Sequence, residues 1–194
     1  MALTPSTMLE LGTKAFDFSL PEVVSGRTVT LNTFSGKKAL VVIFLSRHCP
    51  YVQHVKAELA ALGNDYLSKS VGMVGISAND VSNHPDDSPD NLRSFAHELG
   101  LAYPICYDES QATAKAYTAA CTPDLFLFGE NRKLVYRGQL DDSRPGNSVP
   151  VTGRDLRLAL DAVLAGLPVS SAQKPSLGCN IKWKPGQEPS YARS

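Results

Sequence analysis

No C-x-x-C pair occurs anywhere in this chain, although it carries four cysteines, Cys49, Cys106, Cys121 and Cys179. Scattered in this way, they make no dense disulfide framework, and no dithiol can form within one helical turn. In a reducing compartment, cysteines this sparse are more often catalytic, metal-binding or buried than structural bridges. Neither sign of charge dominates: 19 basic and 19 acidic side chains give a formal net charge of zero. Bulk electrostatics therefore offers no route to a nucleic acid or an anionic membrane. No apolar run approaches the length of a membrane span, and the stretch Met1 to Phe16 has no basic segment followed by an apolar one. The expectation is a soluble cytoplasmic protein with no nucleic-acid and no membrane partner. No internal repeat is present, and 194 residues suit one domain with a full-sized core.

What the chain does have is a strong strand-to-helix junction. Ala39-Leu40-Val41-Val42-Ile43-Phe44-Leu45 is apolar and rich in β-branched residues, which reads as a buried strand. After Cys49-Pro50, the residues Val52, Val55, Leu59 and Leu62 fall at spacings of three, four and three, a single stripe on a helix running to about Leu67. Proline favours the first helical position, so Cys49 falls at or next to the N-cap. A thiol there faces unpaired backbone N–H groups and the positive end of the helix dipole, and both favour the thiolate. Arg47 and His48 add positive charge nearby. The competing reading is a small buried hydrophobe, the commonest fate of a free cysteine.

The rest of the chain predicts a short series of elements. Thr4 to Lys14 reads as a loose lead-in. Phe16–Leu20 and Val29–Leu31 alternate around Ser25-Gly26, as a hairpin does. Val71–Ser77 is a strand, followed by a solvated polar loop, Asn79 to Pro89. Its Asp80, Asp86 and Asp87 lack the spacing of a calcium loop. Ser88-Pro89 caps a helix with Leu92, Phe95, Ala96 and Leu99 on one face and Gly100 at its end. Ala102–Tyr107 is extended with Cys106 packed inside, and Gln111 to Ala119 is a small helix. Leu125–Phe128 and Leu134–Gly138 form a second hairpin. Thr152-Gly153-Arg154-Asp155 resembles a capping box before a closing helix bearing Leu156, Ala159, Leu160, Val163 and Leu164. A strand–helix–strand crossover favours a parallel pair and the second hairpin adds antiparallel strands, giving an α/β sandwich with a mixed central sheet. From Val169 the chain is rich in Ser, Lys, Pro and Gly.

These residues resemble a family. Phe16–Leu31, Gly36-Lys37, the Arg47–Val55 block with its His48-Cys49-Pro50-Tyr51-Val52, Thr122-Pro123-Asp124, Leu134–Ser143 and the tail Lys174–Lys184 are similar to the thioredoxin-fold redoxins of the alkyl hydroperoxide reductase/thiol-specific antioxidant superfamily. More narrowly, they resemble its peroxiredoxin-like bacterial members. The resemblance implies a thioredoxin-like sandwich, its mixed central β-sheet flanked by helices, with an N-terminal hairpin extension. It divides the chain into a redoxin domain, residues 1–168, and a C-terminal tail, 169–194, packed on the domain or partly flexible. Cys49 falls where the attacking cysteine of a thioredoxin stands, while Val52 replaces the second cysteine. Ser46 fits the hydroxyl position of the peroxiredoxin motif, but Val42 stands where that motif has proline, and Arg137 matches its arginine by residue type only. Thr122-Pro123 resembles the cis-proline turn that flanks thioredoxin-fold active sites.

Three function classes follow. The first is a thiol oxidoreductase without cofactor or metal, in which Cys49 attacks a peroxide or a protein disulfide and a second thiol resolves the product. Cys179 and Cys121 are the candidate resolvers, an external thiol is the electron donor, and Ser46, Arg47, His48, Thr122 and Pro123 complete the site. Between the two, Cys179 is favoured because a tail adjusts to disulfide geometry more readily than a rigid turn, and Ile181 and Trp183 give the tail anchors on the domain. The second is a copper- or zinc-binding module built on His48, Cys49 and His54, with Cys179 joining them. The third is a redox-inert binding scaffold on the same fold.

Overall fold

The computed structural model describes residues 3–192. In chain order the elements are β1 (Leu3–Pro5), β2 (Ser19–Pro21), β3 (Thr28–Thr30), β4 (Ala39–Phe44), α1 (Pro50–Tyr66), β5 (Val71–Ser77), α2 (Pro89–Leu99), β6 (Ile105–Tyr107), α3 (Ala112–Ala116), β7 (Cys121–Thr122), β8 (Asp124–Gly129), β9 (Leu134–Gly138), α4 (Arg154–Leu164) and β10 (Leu177–Asn180). The central sheet has the order β6-β5-β4-β8-β9. β4 pairs parallel with β5, and β5 with β6, while β8 runs antiparallel to both β4 and β9. This is the mixed α/β sandwich that the apolar pattern predicts.

All six residues of β4 are buried because both faces of the sheet are covered. Alternation along the strand divides the core in two. Val41, Ile43 and Leu45 pack with Val52, Val55 and Leu59 of α1, Leu92 and Phe95 of α2 and Leu156 and Leu160 of α4. Leu40, Val42 and Phe44 face Leu20 and Val29 of the β2–β3 hairpin, together with Phe34, Tyr117 and Phe126. The hairpin turns at Gly26, whose φ of 70° suits glycine. α2 begins at Ser88, whose Oγ accepts from Asn91 N, and ends at Gly100 in the left-handed conformation, as expected.

Four readings of local structure need correction. The loose lead-in contains β1, and the tail contains β10; with β7 they form a second sheet of order β1-β10-β7. Local pattern could not show this, because each of these short strands exists only through partners far away in the chain. The Thr152 cap does not form. Gly153, at φ 64°, is the N-cap of α4, and the amides of Thr152 and Gly153 are instead taken by Asp141 Oδ2, each at 2.7 Å. The helix expected over Gln111 to Ala119 is reduced to Ala112–Ala116, since Thr118 turns left-handed at φ 49°. The loop from Asn79 to Pro89 is not simply solvated: Asn79, Asp80 and Asp87 are buried.

The tail lies along the domain. Gln139 N donates to Lys174 O, Gln173 Nε2 to Val135 O, and Ile181 N to Ala120 O. Ile181 is buried in the second core, the one that holds Tyr117, and Trp183 packs against that core from outside. No described helix is long and apolar enough to cross a membrane.

Candidate active site

Cys49 sits at the N-cap of α1 with Pro50 in the first turn, just beyond the carboxyl end of β4. It is fully buried, at 0 % exposure. Its Sγ takes no hydrogen bond from the helix amides. It donates instead to Thr122 O at 3.1 Å. The thiol is therefore aimed across the junction at the turn before β8, and the Thr122–Pro123 peptide bond of that turn is cis.

The strand β10 brings Cys179 to the same place. Cys179 stands opposite Thr122 in the β10–β7 ladder, and on its other edge opposite Leu3 of β1. Its thiol is hydrogen-bonded to Cys49. Burial, then this hydrogen bond, push the Cys179 thiol up to about 12. The two sulfurs and the Thr122 carbonyl thus form one chain of contacts. Gly178 makes the approach possible: a Cβ there would stand 2.0 Å from Thr122 O. Ser176 Oγ adds a bond to Pro123 O at 2.7 Å.

The other cysteines are placed differently. Cys121, on β7, directs its Sγ at Pro123 O, 3.7 Å away, and burial followed by the neighbouring Asp124 charge holds its thiol well above the usual range. Cys106 lies in the opposite core, where burial pushes its thiol up to about 12.

Behind Cys49 lies a polar cluster that sequence reading missed. Its centre is Asp87, at 0 % exposure. Asp87 Oδ2 accepts from Ser46 Oγ at 2.8 Å and Asn79 Nδ2 at 2.6 Å and pairs with His48 Nδ1 at 2.7 Å; Oδ1 accepts from Arg47 N at 2.6 Å. Burial works to raise the Asp87 carboxyl, but hydrogen bonds from His48, Asn79 and Ser46 together hold it below its ordinary value. The bond to Asp87 in turn raises His48 above the usual imidazole range. The His48 ring stacks on His84 at 5.4 Å, and burial and the His48 charge lower His84. The available signal was positional. Asn79 lies two residues past the carboxyl end of β5, beside that of β4, where loops of parallel strands gather around ligand sites.

The structure thus brings Ser46, the Arg47 backbone, His48, Cys49, Thr122, Pro123, Cys121 and Cys179 into one region, with two adjustments. The Ser46 hydroxyl donates its hydrogen bond to Asp87, not to Cys49. The Arg47 guanidinium turns outward to Glu98, at 3.7 Å. Arg137, the residue matching the peroxiredoxin arginine by type, is spoken for elsewhere: it is fully buried, ion-paired with Asp124, bonded to Thr7 Oγ1 at 3.1 Å and stacked 3.7 Å over the Phe126 ring. The metal alternative does not assemble. His48 Nδ1 is committed to Asp87, His54 Nε2 lies 2.7 Å from Ser143 Oγ, and among the described residues no three His, Cys, Asp or Glu side chains are grouped to hold an ion.

Comparison with known proteins agrees with this architecture. Over nearly its whole length the chain is similar to a conserved protein of Geobacillus kaustophilus, with 51% identity, a TM-score of 0.94 and coverage of 95% of this chain and 98% of that one. Protein SMc02350 of Sinorhizobium meliloti is 45% identical with a TM-score of 0.93, covering 94% and 100%. "Putative peroxiredoxin Rv2521" of Mycobacterium tuberculosis is 26% identical over 60% of this chain and 69% of its own. The redoxin family profile matches residues 10–156, which include β4, Cys49, the cis turn and the Asp87 cluster, and on this match the chain belongs to the redoxin family.

Proposed function

We propose that this redoxin is a thiol oxidoreductase in which Cys49 and Cys179 cycle between a dithiol and a disulfide. The observation that carries the reading is the hydrogen bond between their thiols, which come from two elements far apart in sequence. The name of the mycobacterial relative and the redoxin match over residues 10–156 support thiol redox chemistry at Cys49; Cys179 lies beyond the matched residues. With a peroxide, the Cys49 thiolate attacks one peroxide oxygen and the O–O bond breaks. The leaving oxygen takes a proton as water or alcohol, and Cys49 becomes a sulfenic acid. Cys179 then attacks that sulfur and expels water, forming the disulfide. With a disulfide substrate, Cys49 forms a mixed disulfide and Cys179 displaces the substrate thiol. In both cases two electrons return from an external thiol donor. Oxidation of Cys49 to the sulfenic acid removes its thiol as the hydrogen-bond partner of Cys179, one of the causes that hold the Cys179 proton. A cycle that returns to free thiols fits a reducing, cytoplasmic setting.

Peptide mapping without reductant, after one equivalent of hydrogen peroxide, tests this. The expected product has lost two thiols and contains a linked Cys49–Cys179 peptide. Four intact thiols, or a Cys49–Cys121 link, would overturn it.

A further inference from the structure

An extended peptide commonly docks by adding a strand to an open sheet edge. Beside Cys49 that edge is β7, and here it is already taken: Cys179 and Asn180 pair with Thr122 and Cys121. The occupant is itself held on its far side, where Leu3, Thr4 and Pro5 pair with Cys179, Gly178 and Leu177. Ser6 N donates to Ser176 O at 2.9 Å, and Ser176 N to Ser6 Oγ at 3.0 Å, extending the attachment by one residue. The seat is specific, since the missing side chain of Gly178 is what lets the strand lie against the Thr122 carbonyl. The neighbouring crevice on the Pro123 side, lined by Tyr51, Val55, Pro123 and Ser176 but by neither Cys49 nor Cys179, is only ≈ 10 Å³. That is about the room one water molecule needs.

From this we infer that β10 is a tethered occupant of the position a strand-adding partner would take, and that it sets the specificity of the site by excluding protein disulfides and bulky hydroperoxides while admitting oxidants of about water's size. The inference rests on the Cys49–Cys179 chemistry proposed above. A small oxidant needs only local breathing around the buried thiol. A protein disulfide needs a strand paired on both edges to leave.

The test compares initial rates of Cys49–Cys179 linkage with hydrogen peroxide and cumene hydroperoxide, and follows reduction of insulin disulfides by the reduced chain. Hydrogen peroxide is expected to react at least about tenfold faster than cumene hydroperoxide, with no insulin reduction over the same interval. Two variants loosen the occupant from opposite edges: Gly178→Ala, and a chain lacking residues 1–5. Each is checked for folding by circular dichroism, and at least one folded variant is expected to narrow the ratio between the two hydroperoxides severalfold. Equal hydroperoxide rates in the intact chain, insulin reduction by it, or an unchanged ratio in every folded variant would overturn the inference. Absence of Cys49–Cys179 linkage with every oxidant would overturn the dithiol reading itself, and this inference with it.

Discussion

Asp87 Oδ2 stands 2.7 Å from His48 Nδ1, and through the Arg47 amide and the Ser46 hydroxyl the same carboxylate grips three successive residues just before Cys49. A fully buried acid thereby fixes the backbone that delivers the thiol. It also raises the pKa of the imidazole one residue before the thiol. Fixed hydrogen bonds of this kind hold a reactive group in place more precisely than a solvated loop can.

Asp87→Asn keeps the shape but loses the charge, leaving His48 without its counter-ion and Arg47 N with a weaker acceptor. Removing one partner of a buried pair costs about 3 kcal/mol. The sign with pH follows from the two shifts. His48 is raised above 6.5 in the folded chain, so its contribution is fully present below that value and is lost as pH rises through the folded pKa. Asp87 is lowered below 3.8, so its contribution is present above that value and is lost as pH falls through the folded pKa. Urea midpoints across pH should show the wild-type advantage over Asp87→Asn between these limits and a decline on both sides. An NMR titration should show the His48 pKa falling in the variant.

The Arg137 guanidinium is engaged by Asp124, Thr7 and the Phe126 ring, while its buried Nε has no hydrogen-bond partner among the described residues. Arg137→Met should therefore cost about 3–5 kcal/mol by leaving Asp124 buried and uncompensated. In the protein that remains folded, the rate of Cys49–Cys179 linkage should stay close to wild type. A guanidinium acting on the reacting oxygen would instead cost on the order of 100-fold. Denaturation midpoints and oxidation rates, measured on the same preparation, separate the two.

The thiols can be separated by substitution. Cys49→Ser should abolish thiol turnover while the fold survives, because serine is also a good N-cap. Cys179→Ser should let the first step proceed and block the second, so a dimedone adduct should accumulate on Cys49 after peroxide. Cys121→Ser should give neither effect, since Cys121 is turned to the Pro123 carbonyl and its proton is held there by burial. Intact-mass spectrometry reads all three outcomes.

Much of this was legible in the chain. The run Ala39–Leu45 and the stripe Val52, Val55, Leu59 and Leu62 carry their structure in local periodicity, and they place Cys49 where it is found. Asp87 was not legible, because an acidic side chain in a Pro- and Ser-rich loop looks solvated until Asn79, Ser46 and His48 close over it. β10 was hidden for a different reason. Leu-Gly-Cys-Asn has no alternation of its own, and its strand conformation is supplied by residues 3–5 on one side and 121–122 on the other. The sequence could place Cys179 near the site through the anchors Ile181 and Trp183. It could not show that the tail arrives as a paired strand.

Those anchors give the last prediction. Ile181 is 1 % exposed and packs in the same core as Tyr117, while its amide bonds to Ala120 O just before β7. Ile181→Ala should cost about 3 kcal/mol, or roughly 10 °C in Tm, since a buried isoleucine loses both its transfer energy and the packing around the cavity it leaves. Trp183 is only partly buried, with Tyr191 edge-on at 6.3 Å, so Trp183→Ala should cost less. Because Ile181 is two residues from Cys179, loss of its anchor should also free β10 more than it frees the central sheet. Hydrogen exchange should show this as faster exchange at the β10 amides with β4 and β8 still protected. Equal loss of protection in β10 and in the central sheet would mean that the tail strand has no stability separate from the fold, and that it opens only when the whole domain does.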